Sequence, residues 1–163
     1  MRVLLLFILL IAFTSYGQSK EYRSMLKRWY SSDFPTISIE DAKPKIGKSN
    51  VYFLDTREQD EFDVSHIKNA VHTGYDDFEM SSVSEIPKNA EIIVYCSIGV
   101  RSEKIGKKLK KAGYSNVKNL YGGMFHWANS GYPMVNNSGA STTKIHGYSK
   151  HWGKWINKGT VVY

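Results

Sequence analysis

The chain has 163 residues, 42% of them hydrophobic, and a formal net charge of +7. That length supports one ordinary domain with a buried core and excludes two of comfortable size. The 22 lysines and arginines are spread along the whole sequence with no dense basic tract, which marks a solvated surface and argues against nucleic acid as a partner.

Residues 1–17 place Arg2 ahead of an apolar run at 3–13, with Ser15, Tyr16 and Gly17 before Gln18. A charged start, a short apolar stretch and a small residue at the junction mark a secretory signal peptide. The run falls short of the roughly 18 residues that a spanning helix needs, so no stable membrane anchor is expected after cleavage. Its removal takes away Arg2 and no acid, lowering the charge from +7 to +6. The expected location is outside the cytoplasm, periplasmic or secreted.

An N-terminal helical arm follows at 18–35, with Tyr22, Met25, Leu26, Trp29 and Tyr30 on one face of a short helix. From 36 to 135 short apolar runs alternate with helical patterns. Strands are expected at 36–39, 51–55, 70–72, 92–95 and 117–120, and helices at 40–46, 57–62, 75–80, 101–112 and 123–129. Such alternation predicts an α/β domain with a mainly parallel sheet whose inner strands are apolar on both faces. Within it, Asp76, Asp77 and Glu79 read as capping or solvating residues, lacking a partner at a spacing suited to acid–base work.

Residues 136–143 read as a polar linker. In the closing extension, 144–163, Tyr148, Trp152, Trp155 and Ile156 recur at helical spacing, Gly159 marks a stop, and 160–163 suggests an added strand. Three roles stay open for this aromatic segment: packing on the domain or on the helix at 22–30, a lid over Cys96, or a surface for a protein partner.

Cys96 is the chain's single cysteine. Oxidising compartments favour paired cysteines, and Cys96 has no mate with which to pair. It lies where the strand at 92–95 hands over to the helix at 101–112, the edge at which open α/β sheets bind ligands. The start of that helix offers unpaired N–H groups and a partial positive charge. Gly99 allows the backbone to curl into an anion-binding nest, and Arg101 adds a permanent charge. A thiol of pKa about 8.5 is only roughly 3% thiolate at pH 7, whereas one lowered to about 6.5 is roughly 75% thiolate. Cys96 is therefore the expected nucleophile, the alternative being a small hydrophobe at a strand end.

Three stretches carry a family resemblance. CSIGVRS after an apolar strand resembles the active-site loop of the rhodanese family of sulfurtransferases. Upstream, LDTREQDEFDVSHIKNAVH is similar to that family's other characteristic stretch, through Asp55, Arg57, Glu61, Phe62, His66, Ile67 and Ala70. Downstream, NLYGGMFHW resembles its closing segment through Gly122, Gly123 and Trp127, and the three occur in the family's order across 36–134. One departure is Ser65, standing where the family commonly has glycine before His-Ile.

The resemblance implies a rhodanese-like fold, a five-stranded, mainly parallel sheet flanked by helices on both faces. It also implies that Cys96 takes sulfane sulfur from a small donor as a persulfide and passes it to a thiol or cyanide acceptor. By the motif match, Ser97, Ile98, Gly99, Val100 and Arg101 form the loop that binds the persulfide or the donor's anionic head. Asp55 and Arg57 support the neighbouring loop, by bracing it or by touching substrate. Arg101 ends a C-x4-R loop sized for sulfur, whereas related phosphatase loops are C-x5-R, and this chain has Ser102 at that next position. Ser97 and Ile98 carry no charge where thiosulfate-using relatives often have a basic side chain, so thiosulfate is expected to be a weak donor. No cofactor is expected, and no metal, because the five histidines are scattered and His146 and His151 miss the three- or four-residue step of a helical metal pair. Two rival readings are a catalytically idle rhodanese module that binds a partner through the same loop, and a thiol redox sensor acting through oxidation of Cys96.

Overall fold

The computed structural model describes residues 19–163, so the expected signal segment at 1–17 lies outside the described residues. Five strands build the central sheet: β1 (Thr36–Ile37), β2 (Val51–Asp55), β3 (Val71–His72), β4 (Glu91–Tyr95) and β5 (Asn116–Leu120). All pair in parallel, in the order β1-β5-β4-β2-β3. Strand β4 is the middle one, and its composition follows from that place. Ile92 and Val94 project to one face, Ile93 and Tyr95 to the other, and all four are buried.

On the first face Phe53, Ile93 and Tyr95 join Met124, Phe125 and Trp127; on the second Leu54, Ile92 and Val94 join Ile105 and Leu109. Helices α1 (Lys20–Trp29), α2 (Ile39–Ala42) and α5 (Gly123–Asn129) contribute to the first core, and α4 (Val100–Lys111) to the second. A short helix α3 (Gln59–Val64) follows β2. The expected α/β architecture is thus present, with a five-stranded parallel sheet and helices on both faces.

The arm is folded onto this body. Ser19 caps α1 by accepting the Tyr22 N–H at 3.1 Å. Tyr22 and Leu26, one turn apart, are both buried in the first core. Burying a leucine side chain contributes roughly 1.5–3 kcal/mol, and burial of Tyr22 beside it adds to the docking of the helix.

Three expectations need correction. Residues 75–79 form a bend and a turn instead of a helix, followed by a 3-10 turn at Met80–Val83. Ser82 and Ser84 donate their hydroxyls to the carbonyls of Glu79 and Ser81, which competes with helical pairing. Residues 136–143 are not an open linker: β6 (Met134–Val135) and β7 (Ser141–Thr142) pair as an antiparallel hairpin. Asn136 Oδ1 closes its turn, accepting from Ser138 N, Ser138 Oγ and Ala140 N at 3.1, 2.8 and 3.0 Å. His66 and Val135 exchange backbone bonds of 2.8 and 3.0 Å, which fastens the hairpin to the domain.

The third correction concerns the closing extension. Its helix α6 is only Lys150–Gly153, between β8 (Lys144–His146) and β9 (Thr160–Val162), and Tyr148 precedes it with φ +62°. Strands β8 and β9 pair in parallel as a separate two-stranded sheet and add nothing to the central one. The segment packs on the arm, with the Trp155 and Tyr22 rings 5.6 Å apart. Among the described residues no helix is long and apolar enough to cross a membrane.

Candidate active site

Strand β4 delivers Cys96 to the carboxyl edge of the sheet at its centre, and α4 starts four residues later. The intervening loop is shaped by bonds to its carbonyls. Cys96 O accepts from Met124 N at 2.8 Å and Ser97 O from Phe125 N at 3.0 Å. Ile98 O accepts from Tyr30 Oη at 2.6 Å, and Gly99 O from Asn119 Nδ2 at 2.8 Å. Each trans peptide points its N–H opposite to its carbonyl, so four outward carbonyls direct four amides away from these partners. One of them, Gly99 N–H, donates to Cys96 Sγ at 3.1 Å. The thiol itself is 1% exposed.

Glycine is required at two points of this arrangement. Gly99 has φ +101°, and a Cβ there would collide with Tyr30 Oη. Gly123 has φ +58°, and a Cβ there would collide with the Cys96 carbonyl. The phenol of Tyr30 bridges both stretches, since it also accepts the Gly122 N–H at 2.9 Å.

Glu61 on α3 holds the loop from the other side. Its Oε1 accepts from Ser97 Oγ and Arg101 Nη2, each at 2.8 Å, while its Oε2 meets Arg101 Nη1 at 2.7 Å and the Glu58 N–H at 3.1 Å. Arg101 also donates to Ser97 Oγ at 3.0 Å and lies 3.5 Å from Glu58. Burial pushes the Glu61 carboxyl up, but the Arg101 hydrogen bonds and charge, with Arg57 and Ser97, outweigh it and hold the group below its ordinary value. Burial likewise works against the Arg101 charge and is outweighed by Glu61, Cys96 and Glu58, which hold its guanidinium above the ordinary value. Arg101 is thus the permanent charge expected in this loop, held as a clamp between the Glu61 and Glu58 carboxylates.

Asp55 and Arg57 are fully buried and line no part of the cavity at Cys96. Arg57 Nε and Nη2 reach Asp55 at 2.9 and 2.6 Å, and Nη2 also donates to Ser65 O at 2.6 Å. Their contacts are those of a brace for the loop between β2 and β3.

Above Cys96 lies a cavity of about 160 Å³. Its floor is Cys96, Ser97, Ile98, Val100 and Arg101; its outer wall is Trp29, Tyr148 and Trp152. The structure therefore brings the expected loop residues together and adds partners that loop spacing does not reveal. Glu61 was visible only as an acid in the upstream motif. The wall aromatics were visible as stripes; a lid over the site was one role open to Tyr148 and Trp152, and nothing in the sequence placed Trp29 there. Among the described residues no group of three or more His, Cys, Asp and Glu side chains is placed to hold a metal ion.

Comparison with known proteins places this loop in context. The rhodanese-like domain family profile matches residues 38–130. A Bacillus subtilis relative, whose name as sulfur carrier protein YrkF is itself provisional, is 35% identical over 98 residues, covering 60% of this chain and 52% of the relative. The chain thus spans about half the length of that protein. Thiosulfate sulfurtransferase GlpE of Coxiella burnetii is 29% identical over 98 residues, covering 58% of this chain and 87% of its own. The solution structure of the rhodanese-like domain of an Anabaena protein superposes with a TM-score of 0.57 at 24% identity, covering 63% of this chain and 79% of that one, a likeness of fold alone.

Proposed function

The chain belongs to the rhodanese-like domain family, and on that premise we propose that it is an exported sulfurtransferase working through a persulfide on Cys96. In the first step the Cys96 thiolate attacks the outer sulfur of a sulfane donor. The Sγ–S bond forms as the donor's S–S bond breaks, and the leaving group departs with the bonding pair. An acceptor thiolate or cyanide then takes that sulfur and restores the Cys96 thiolate.

One observation carries this reading: Cys96 Sγ sits at the floor of a cavity, 3.1 Å from the Gly99 N–H, in a loop whose four carbonyls are bonded outward. Negative charge that moves from thiolate to terminal persulfide sulfur stays beside oriented amides and the N-terminus of α4. Ser97 and Arg101 keep that shape through Glu61, and Asp55 with Arg57 keeps the adjoining loop in place. Support for export, to the periplasm or outside the cell, comes from the pattern of residues 1–17, a charged start, a short apolar run and a small residue at the junction.

Intact mass spectrometry after mixing with thiosulfate, and separately with a thiol persulfide, tests the chemistry. The expected result is a gain of one sulfur atom that cyanide reverses and that Cys96→Ser abolishes. A chain that gains no sulfur from either donor is not a sulfurtransferase of this kind. Cell fractionation tests the location: the expected product starts at Gln18 outside the cytoplasm, and an unprocessed cytoplasmic chain would refute export.

A further inference from the structure

The cavity over Cys96 has two halves of different origin. Its floor belongs to the stretch matched by the family profile, residues 38–130, whereas Trp29, Tyr148 and Trp152 all lie outside that stretch. Trp29 and Tyr148 are 54% and 52% exposed, yet their rings are held in place. Trp29 meets Trp152 edge-on with centroids 6.0 Å apart, and the Tyr148 ring lies 4.9 Å from Arg101 Cζ. Aromatic surface left in water beside a buried thiol favours any ligand that covers it.

Charge points the same way. Among the described residues Arg101 is the only charged side chain lining this cavity. Its guanidinium is engaged by both Glu61 oxygens, by Ser97 Oγ and by Glu58, and its face is covered by Tyr148. A small divalent anion entering here meets no unpaired cation, and desolvating it costs more than desolvating a monoanion or a neutral molecule.

We propose that Trp29, Tyr148 and Trp152 are specificity-determining residues that select an organic hydropersulfide with an apolar body over inorganic thiosulfate as sulfur donor. The proposal rests on the sulfurtransferase reading above. The apolar body lies against the aromatic wall while the outer sulfur reaches Cys96. The thiolate's electron pair forms the new S–S bond, the old S–S pair leaves with the organic thiolate, and the hydropersulfide proton stays on the transferred sulfur or passes to that thiolate. No oxidant or reductant is consumed.

The test compares the rates at which Cys96 gains sulfur from benzyl hydropersulfide and from thiosulfate, followed by intact mass. The deciding quantity is the change on mutation in the ratio of the two rates, because donor reactivity and general folding defects cancel in that change. Trp29→Ala and Trp152→Ala are each expected to lower the ratio about tenfold, the scale of one lost aromatic contact with its burial. Tyr148→Lys is expected to lower it too, by speeding thiosulfate, a gain that misfolding does not produce. A ratio unchanged in the tryptophan variants, or thiosulfate loading that Tyr148→Lys does not speed, overturns the selectivity. Absence of sulfur on Cys96 from both donors overturns the sulfurtransferase reading beneath it, a result distinct from loading that ignores the wall.

Discussion

Two neighbouring loops at the carboxyl edge of the sheet each carry an arginine paired with a carboxylate, and the two pairs serve different ends. After β2, Arg57 and Asp55 are wholly buried, bonded to each other and to Ser65 O. After β4, the Arg101 side chain is 17% exposed, reaches Glu61, Glu58 and Ser97, and borders the cavity. Burial makes the first pair a strut that lines no part of the cavity at Cys96. Partial exposure leaves the second rigid at its Glu61 end and open at the face covered by Tyr148. The same residue type is thus sealed inside the protein in one loop and set at the border of the cavity over Cys96 in the next, and the surroundings decide which.

Breaking the strut should have the largest effect. Arg57→Leu leaves Asp55 buried without its partner, and a loss of about 3–5 kcal/mol in urea unfolding is expected. A loss under about 1 kcal/mol would mean that the pair is dispensable. Next comes the thiol loop. Gly99→Ala adds strain at a positive φ and displaces Tyr30 from its two hydrogen bonds, for an expected loss of about 2–4 kcal/mol together with slower sulfur uptake by Cys96. Normal uptake in that variant would show that the loop tolerates a different shape.

The smallest expected effect is on pH dependence. Glu61 is held below its ordinary value of 4.5, so its contribution is complete above that value and is lost as the pH falls through the lower folded value. Melting temperature should therefore fall more steeply with acid in the native chain than in Glu61→Gln across that window. Parallel curves would remove Glu61 from the account of the clamp.

Much of this was legible because the sheet's demands are written locally. Ile92, Ile93 and Val94 fit only a strand buried on both faces, and a glycine three residues past Cys96 fits only a tight turn into a helix. Other parts depend on distant partners. The α6 region shows an aromatic stripe over 148–156 but folds as one short turn of helix, since Tyr148 turns onto Arg101 and Trp155 onto Tyr22. The hairpin at 134–142 has strands too short and polar to show a period, and its turn residues Asn136 and Gly139 read as part of a polar linker. Glu61 stood in the sequence only as one residue of the upstream family-like stretch, and its grip on Ser97 and Arg101 depends on two loops meeting in space.

The phenol oxygen of Tyr30 joins the arm to the thiol loop by giving its proton to Ile98 O and taking one from Gly122 N. Docking of α1 and the shape of the loop are therefore one coupled equilibrium, not two. Any free energy spent in peeling the arm from the sheet is felt at the sulfur, so hydrogen exchange at the Gly122 amide should track the reactivity of Cys96 more closely than exchange in the sheet does.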